Sequence, residues 1–136
     1  MTEIVRSLIT NRFKEENPNP SGKNVGDCTV RAICLATGQS WEKIYLDLCL
    51  QGYMMSDMPS SNDVWGAYLI DRGWRFHRLQ DSCPYCYTIK DFCKDHERGT
   101  FIAGTGSHVV CINEGEYIDA WDSGDKVPLF YFEREE

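Results

Sequence analysis

The chain is expected to adopt an α+β fold, because helical periodicity fills its first half and strand alternation its second. Two further signals agree. Capping residues and glycines divide the first half into short helices, and Glu114-Gly115 between two apolar runs marks a tight hairpin in the second. With 136 residues, positions 1–136 are expected to form one domain of N-terminal helices packed on a C-terminal antiparallel sheet.

Each element has its own warrant. Ile4, Leu8 and Ile9 outline one apolar face, so residues 1–16 read as a short helix or an extended lead-in. Asn17-Pro18-Asn19-Pro20-Ser21-Gly22 is a loop, since its prolines and glycine exclude regular structure. A helix starts at Cys28, with the Asp27 carboxylate as its N-cap on the N–H of Thr29 or Val30, and Gly38 stops it. Ser40 caps a second helix from Trp41 to about Leu50, with Trp41, Ile44, Tyr45 and Leu48 on one stripe. Met54, Met55 and Met58 fall in the loop that comes next, and a third helix runs from about Asp63 to Asp71. Trp74 to Leu79 alternates as a half-buried strand, and Thr88 with Asp91 forms the capping box of a helix reaching about His96. Strands are expected at Thr100–Ala103, His108–Asn113, Glu116–Trp121 and Val127–Phe132.

Composition narrows the function. The formal charge is −7, from 21 acidic and 14 basic residues without a Lys/Arg stripe, which argues against a duplex nucleic-acid partner. No apolar run reaches the length of a membrane helix, so no membrane partner is expected. Met1-Thr2-Glu3-Ile4-Val5-Arg6 lacks the form of an export signal. Seven cysteines without such a signal point to a cytoplasmic protein with free or metal-bound thiols. Oligomeric state is not legible.

The chemistry centres on Cys28. A thiol attacks acyl carbon as thiolate, and a helix N-terminus stabilises that anion with its N–H groups and dipole. Asp27 opposes a second anion, but Arg31, one helical turn on, is placed to neutralise it. A buried structural cysteine is the bland alternative. His108 opens a strand after Gly104-Thr105-Gly106-Ser107, where glycines let a substrate backbone approach. His77 stands between arginines and His96 beside a cysteine cluster, which leaves His108 as general base. Hairpin geometry offers two carboxylates to orient the imidazole. A two-residue turn at Glu114-Gly115 sets His108 opposite Trp121 and diagonal to Asp119, whereas a three-residue turn sets it opposite Asp122. The strand end beside Ser123-Gly124 is the less buried, which favours Asp122.

Asn17-Pro18-Asn19-Pro20, Gly26-Asp27-Cys28 with Arg31-Ala32, and His108-Val109-Val110 with Tyr117-Ile118-Asp119-Ala120-Trp121-Asp122-Ser123-Gly124 together resemble the papain-like cysteine peptidase superfamily, specifically small papain-like proteins of phages and gut bacteria. The resemblance covers nearly the whole chain. It implies a papain-like fold, a Cys28 nucleophile, a His108 base and an orienting Asp122, acting on a protein or peptide without a catalytic cofactor. Papain-like enzymes carry an oxyanion-donating Gln six residues before the cysteine, where this chain has Gly22; Asn24 or Asn19 is the expected substitute. A thiol hydrolase or acyl-transfer enzyme (peptidase, isopeptidase or deamidase) is therefore expected. The competing expectation is a non-catalytic papain-fold module that binds a host protein or sequesters a small signalling molecule.

A second constellation lies at Cys83-Pro84-Tyr85-Cys86, followed by Cys93 and His96 on one helical face. These four could close tetrahedrally around a structural zinc ion; the alternatives are a redox dithiol, or Cys93 as core. Cys34, Cys49 and Cys111 sit on apolar stripes and read as packing.

Overall fold

The computed structural model describes residues 11–82 and 84–134. Ile4, Leu8 and Ile9 lie outside the described residues, as does Cys83. The elements run β1 (Phe13–Glu15), α1 (Cys28–Thr37), α2 (Trp41–Met55), α3 (Asn62–Ile70), β2 (Trp74–Arg78), α4 (Ile89–Asp95), β3 (Thr100–Gly104), β4 (Val109–Asn113), β5 (Glu116–Asp119) and β6 (Phe130–Arg134). The class is α+β. Strand order is β1-β5-β4-β3-β6-β2, and β1 runs parallel to β5, so the sheet is mixed rather than purely antiparallel.

Alternation along the central strands builds a core on each face of the sheet. Ile102, Val109, Cys111, Ile118 and Phe132 face a cluster with Ile33, Ile44, Leu48, Trp65 and Leu69 of α1 to α3. Phe101, Ala103, Val110, Ile112 and Tyr117 point the other way, onto Ile89, Phe92 and Cys93 of α4. The helices thus cover both faces, not one. Each fully buried Ile, Leu or Phe contributes about 1.5–3 kcal/mol relative to exposure.

Local chemistry sets most helix ends where the residues predict. Gly38 closes α1 in the left-handed region at φ 73°, its N–H bonding the Cys34 carbonyl. The Ser40 side chain accepts from the Lys43 N–H to start α2, and the Thr88/Asp91 capping box starts α4. Two expectations fail. α2 continues past Leu50 through Gly52 to Met55, so Met54 and Met55 are helical. Gly52 is there for space: a Cβ at this position would lie 2.6 Å from the Asp57 carbonyl oxygen, where the chain folds back over the helix. β6 starts at Phe130 rather than Val127, because Pro128 has no N–H to give a ladder.

The hairpin between β4 and β5 fixes which side chains stand beside His108. Glu114 and Gly115 take φ of 51° and 78°, the two positive values of a type I′ turn. The register pairs Cys111 with Ile118 and Asn113 with Glu116, so the connection is the two-residue one. β1 reinforces the far end: Glu15 pairs with Asp119, and the Glu16 N–H donates to the Asp119 carbonyl at 2.9 Å.

Candidate active site

Cys28 is the first residue of α1 and His108 immediately precedes β4, the strand on which α1 packs. That packing sets the Cys28 thiol beside the His108 imidazole, close enough for each to shift the proton affinity of the other. His108 Nε2 meets Asp119 Oδ2 at 2.6 Å, which leaves Nδ1 for the sulfur. The backbone of His108 is held by Thr105, whose N–H and hydroxyl both donate to the His108 carbonyl, at 2.8 and 3.3 Å.

The carboxylate that bonds the imidazole is Asp119, not Asp122. The two-residue turn decides this, by setting His108 opposite Trp121 and diagonal to Asp119. Accordingly the Trp121 ring packs against His108, with centroids 4.6 Å apart and the rings tilted by 39°. Asp119 is only 3% exposed and fully engaged: Ser123 Oγ donates to Oδ2 at 2.7 Å and the Ala120 N–H to Oδ1 at 2.8 Å. Asp122 serves elsewhere, accepting from the Tyr117 hydroxyl at 2.5 Å and the Gly124 N–H at 3.1 Å.

Asp27 also departs from expectation. Its side chain does not cap α1. The carboxylate instead takes Arg31 as ion-pair partner, Asn19 Nδ2 at 3.1 Å and Trp41 Nε1 at 3.0 Å. Arg31, 5% exposed, reaches on to Asp119 Oδ1 at 3.4 Å. The guanidinium therefore stands between two buried carboxylates and neutralises the one beside the thiol, as its spacing along the helix suggested. The Asp27 side chain makes no cap bond to the first N–H groups of α1, and a helix start is a natural seat for an anion.

Proton affinities follow from these contacts. Burial pushes the Cys28 thiol up, but hydrogen bonds from His108 and the Val109 N–H, with the charges of His108 and Arg31, bring it below its ordinary value. Burial pulls His108 down, yet the hydrogen bonds and charges of Asp119 and Cys28 outweigh that and raise it to about 9. Asp119 is lowered, its burial overcome by bonds from His108 and Ser123. Each contact favours the charged form of its partner: a thiol lowered from its ordinary value, an imidazolium raised to about 9 and a lowered carboxylate.

Cys28, His108, Val109, Gly106, Ser60 and Asn62 line a cleft of about 240 Å³. No family model, curated protein or solved structure matches this chain.

The expected oxyanion amides are not at the cleft. Asn24 is solvent-exposed in the loop before α1 and does not line it. Asn19 is buried, with Nδ2 on Asp27 and Oδ1 accepting from the N–H groups of Ser21 and Lys23. The described members of the second constellation are not assembled either. Cys93 is fully buried against Ile89 and Phe92, and burial raises its thiol to about 12. The His96 ring stacks on Phe92 at 3.8 Å with Nδ1 on the Phe92 carbonyl, while Cys86 is exposed. No group of three metal-ligating side chains occurs among the described residues. Ser123, Trp121 and Asn62 are contributors that sequence reasoning did not assign. The Glu-Gly turn carried a signal for Asp119, whereas nothing local marked Asn62.

Proposed function

We propose that the chain is a papain-like thiol hydrolase or acyl-transfer enzyme acting on an amide, isopeptide or related acyl bond of a protein or peptide. The observation that carries this reading is the relay from Cys28 at a helix start, through His108, to Asp119. The Cys28 thiolate attacks the substrate carbonyl carbon; as the S–C bond forms, the carbonyl π pair moves to oxygen. The N–H groups at the start of α1 hold that oxyanion. Collapse breaks the C–N bond, and the His108 imidazolium protonates the departing amine. His108 then takes a proton from water, or from an acceptor amine, as it attacks the thioester, and expulsion of the thiolate restores the starting thiolate and imidazolium. Asp119 fixes the imidazole orientation and stabilises its charged form without itself becoming protonated.

A peptide fits the surroundings. An apolar hollow of about 270 Å³, lined by Val30, Tyr45, Leu48 and Met58, shares Gly26, Thr29 and Ser60 with the cleft. A side chain beside the reacting carbonyl would be buried there.

Incubation with an activated acyl ester, followed by intact-mass and peptide mapping, tests the reading. A single acyl adduct on Cys28, absent from Cys28→Ala and hydrolysed over time, is the expected result. An unmodified Cys28 would leave the binding-module function in its place.

A further inference from the structure

A tetrahedral oxyanion at Cys28 calls for a second donor beside the helix N–H groups, and neither Asn19 nor Asn24 is placed to give one. Asn62 is. It begins α3, and its side chain lines the same cleft as Cys28 and His108. Its orientation is set by Trp65, whose indole N–H donates to Asn62 Oδ1 at 3.0 Å. An indole nitrogen can only donate, so the amide must turn its oxygen to the tryptophan and its NH₂ away from it. Trp65 is fully buried and packed against Phe130 and Phe132, which makes it a rigid anchor. Asn62 Nδ2 has no hydrogen-bond partner among the described residues.

We propose that Asn62 Nδ2 donates the side-chain hydrogen bond to the oxyanion formed when Cys28 is acylated, with Trp65 holding the amide in the donating orientation. The inference rests on the thiol-hydrolase reading. It assigns the oxyanion donor to the helix across the cleft, not to the loop leading into the nucleophile. Acylation forms the S–C bond and places the carbonyl π pair on oxygen, and that developing charge is what Asn62 meets. Alkylation by iodoacetamide displaces iodide at a saturated carbon and develops no oxyanion. The two reactions share the thiolate and differ in the need for Asn62.

The test compares acylation by p-nitrophenyl acetate with alkylation by iodoacetamide at one pH, on the full chain. Asn62→Asp keeps the acceptor for Trp65 and removes both donors; Asn62→Ala removes the amide without adding charge. Both are expected to lower the acylation-to-alkylation ratio by about a hundredfold, and by far more than Ser60→Ala or Ser107→Ala, which remove the competing hydroxyl donors of the cleft. A ratio unchanged in both Asn62 variants, or lost instead in a serine variant, overturns the assignment while leaving the hydrolase reading intact. Wild-type Cys28 inert to both reagents removes that reading, and the role of Asn62 falls with it.

Discussion

Replacing Asp119 by Asn should weaken the reactivity of Cys28 in a way that replacing Asp122 does not. In the folded protein His108 holds its proton up to about 9, against an ordinary 6.5. That gap corresponds to roughly 3 kcal/mol favouring the imidazolium, shared between Asp119 and the Cys28 thiolate. Loss of the Asp119 share should move the half-point of Cys28 alkylation upward by about one to two pH units, and slow the reaction near pH 6 about ten- to a hundredfold. The assay is iodoacetamide modification of Cys28 across pH 4–9, followed by peptide mass spectrometry, with far-ultraviolet circular dichroism to show that each variant is folded. Asp122→Asn removes the charge of the carboxylate that accepts from the Tyr117 hydroxyl and makes no bond to His108, and should leave the half-point where it is. An unmoved half-point in Asp119→Asn, with a moved one in Asp122→Asn, would refute the assignment of the carboxylate.

Three further outcomes are expected. Arg31→Met leaves Asp27 and Asp119 buried without their shared cation and should cost about 3–5 kcal/mol in urea unfolding; a cost well below 1 kcal/mol would show that the bridge between them is dispensable. In a Cys28→Ser background, which removes the opposing thiol, raised proton affinity of His108 makes its stabilisation complete below the unfolded value of 6.5 and lost as pH rises toward the folded one. Unfolding free energy should therefore fall across that alkaline window, and His108→Gln should flatten the slope. Gly52→Ala should destabilise by about 1–3 kcal/mol, because the added methyl group meets the Asp57 carbonyl; a neutral result would show that residues 57–59 move aside freely.

How much was legible in the sequence depended on whether the signal was local. The start and end of α1, the Ser40 cap and the Thr88/Asp91 box are decided within four residues, and they appear as expected. The proximity of Cys28 and His108 was suggested by chain order, and the packing of α1 on β4 provides it. What depended on distant chain was missed. Gly52 reads locally as a helix stop, whereas its role is to admit the returning backbone. β1 pairs with β5, a partner far along the chain that no local pattern announces. The carboxylate turned on one residue of turn length: Glu114-Gly115 named the shorter turn, and the shorter turn selects Asp119. Asp27 looked like a helix cap because its neighbours in sequence allowed it, but Arg31, Asn19 and Trp41 take its oxygens in place of the backbone. Cys93 and His96 share a helical spacing suited to a metal, yet Cys93 is committed to the core.

The most direct measurement is the relative rate at which iodoacetamide modifies Cys28 and Cys86 at pH 6. Cys86 is exposed and Cys28 half-buried, so accessibility alone favours Cys86. A thiolate held by His108, the Val109 N–H and the start of α1 predicts the reverse, with Cys28 faster by about tenfold or more. Modification of Cys28 at or below the rate of Cys86 would contradict the account.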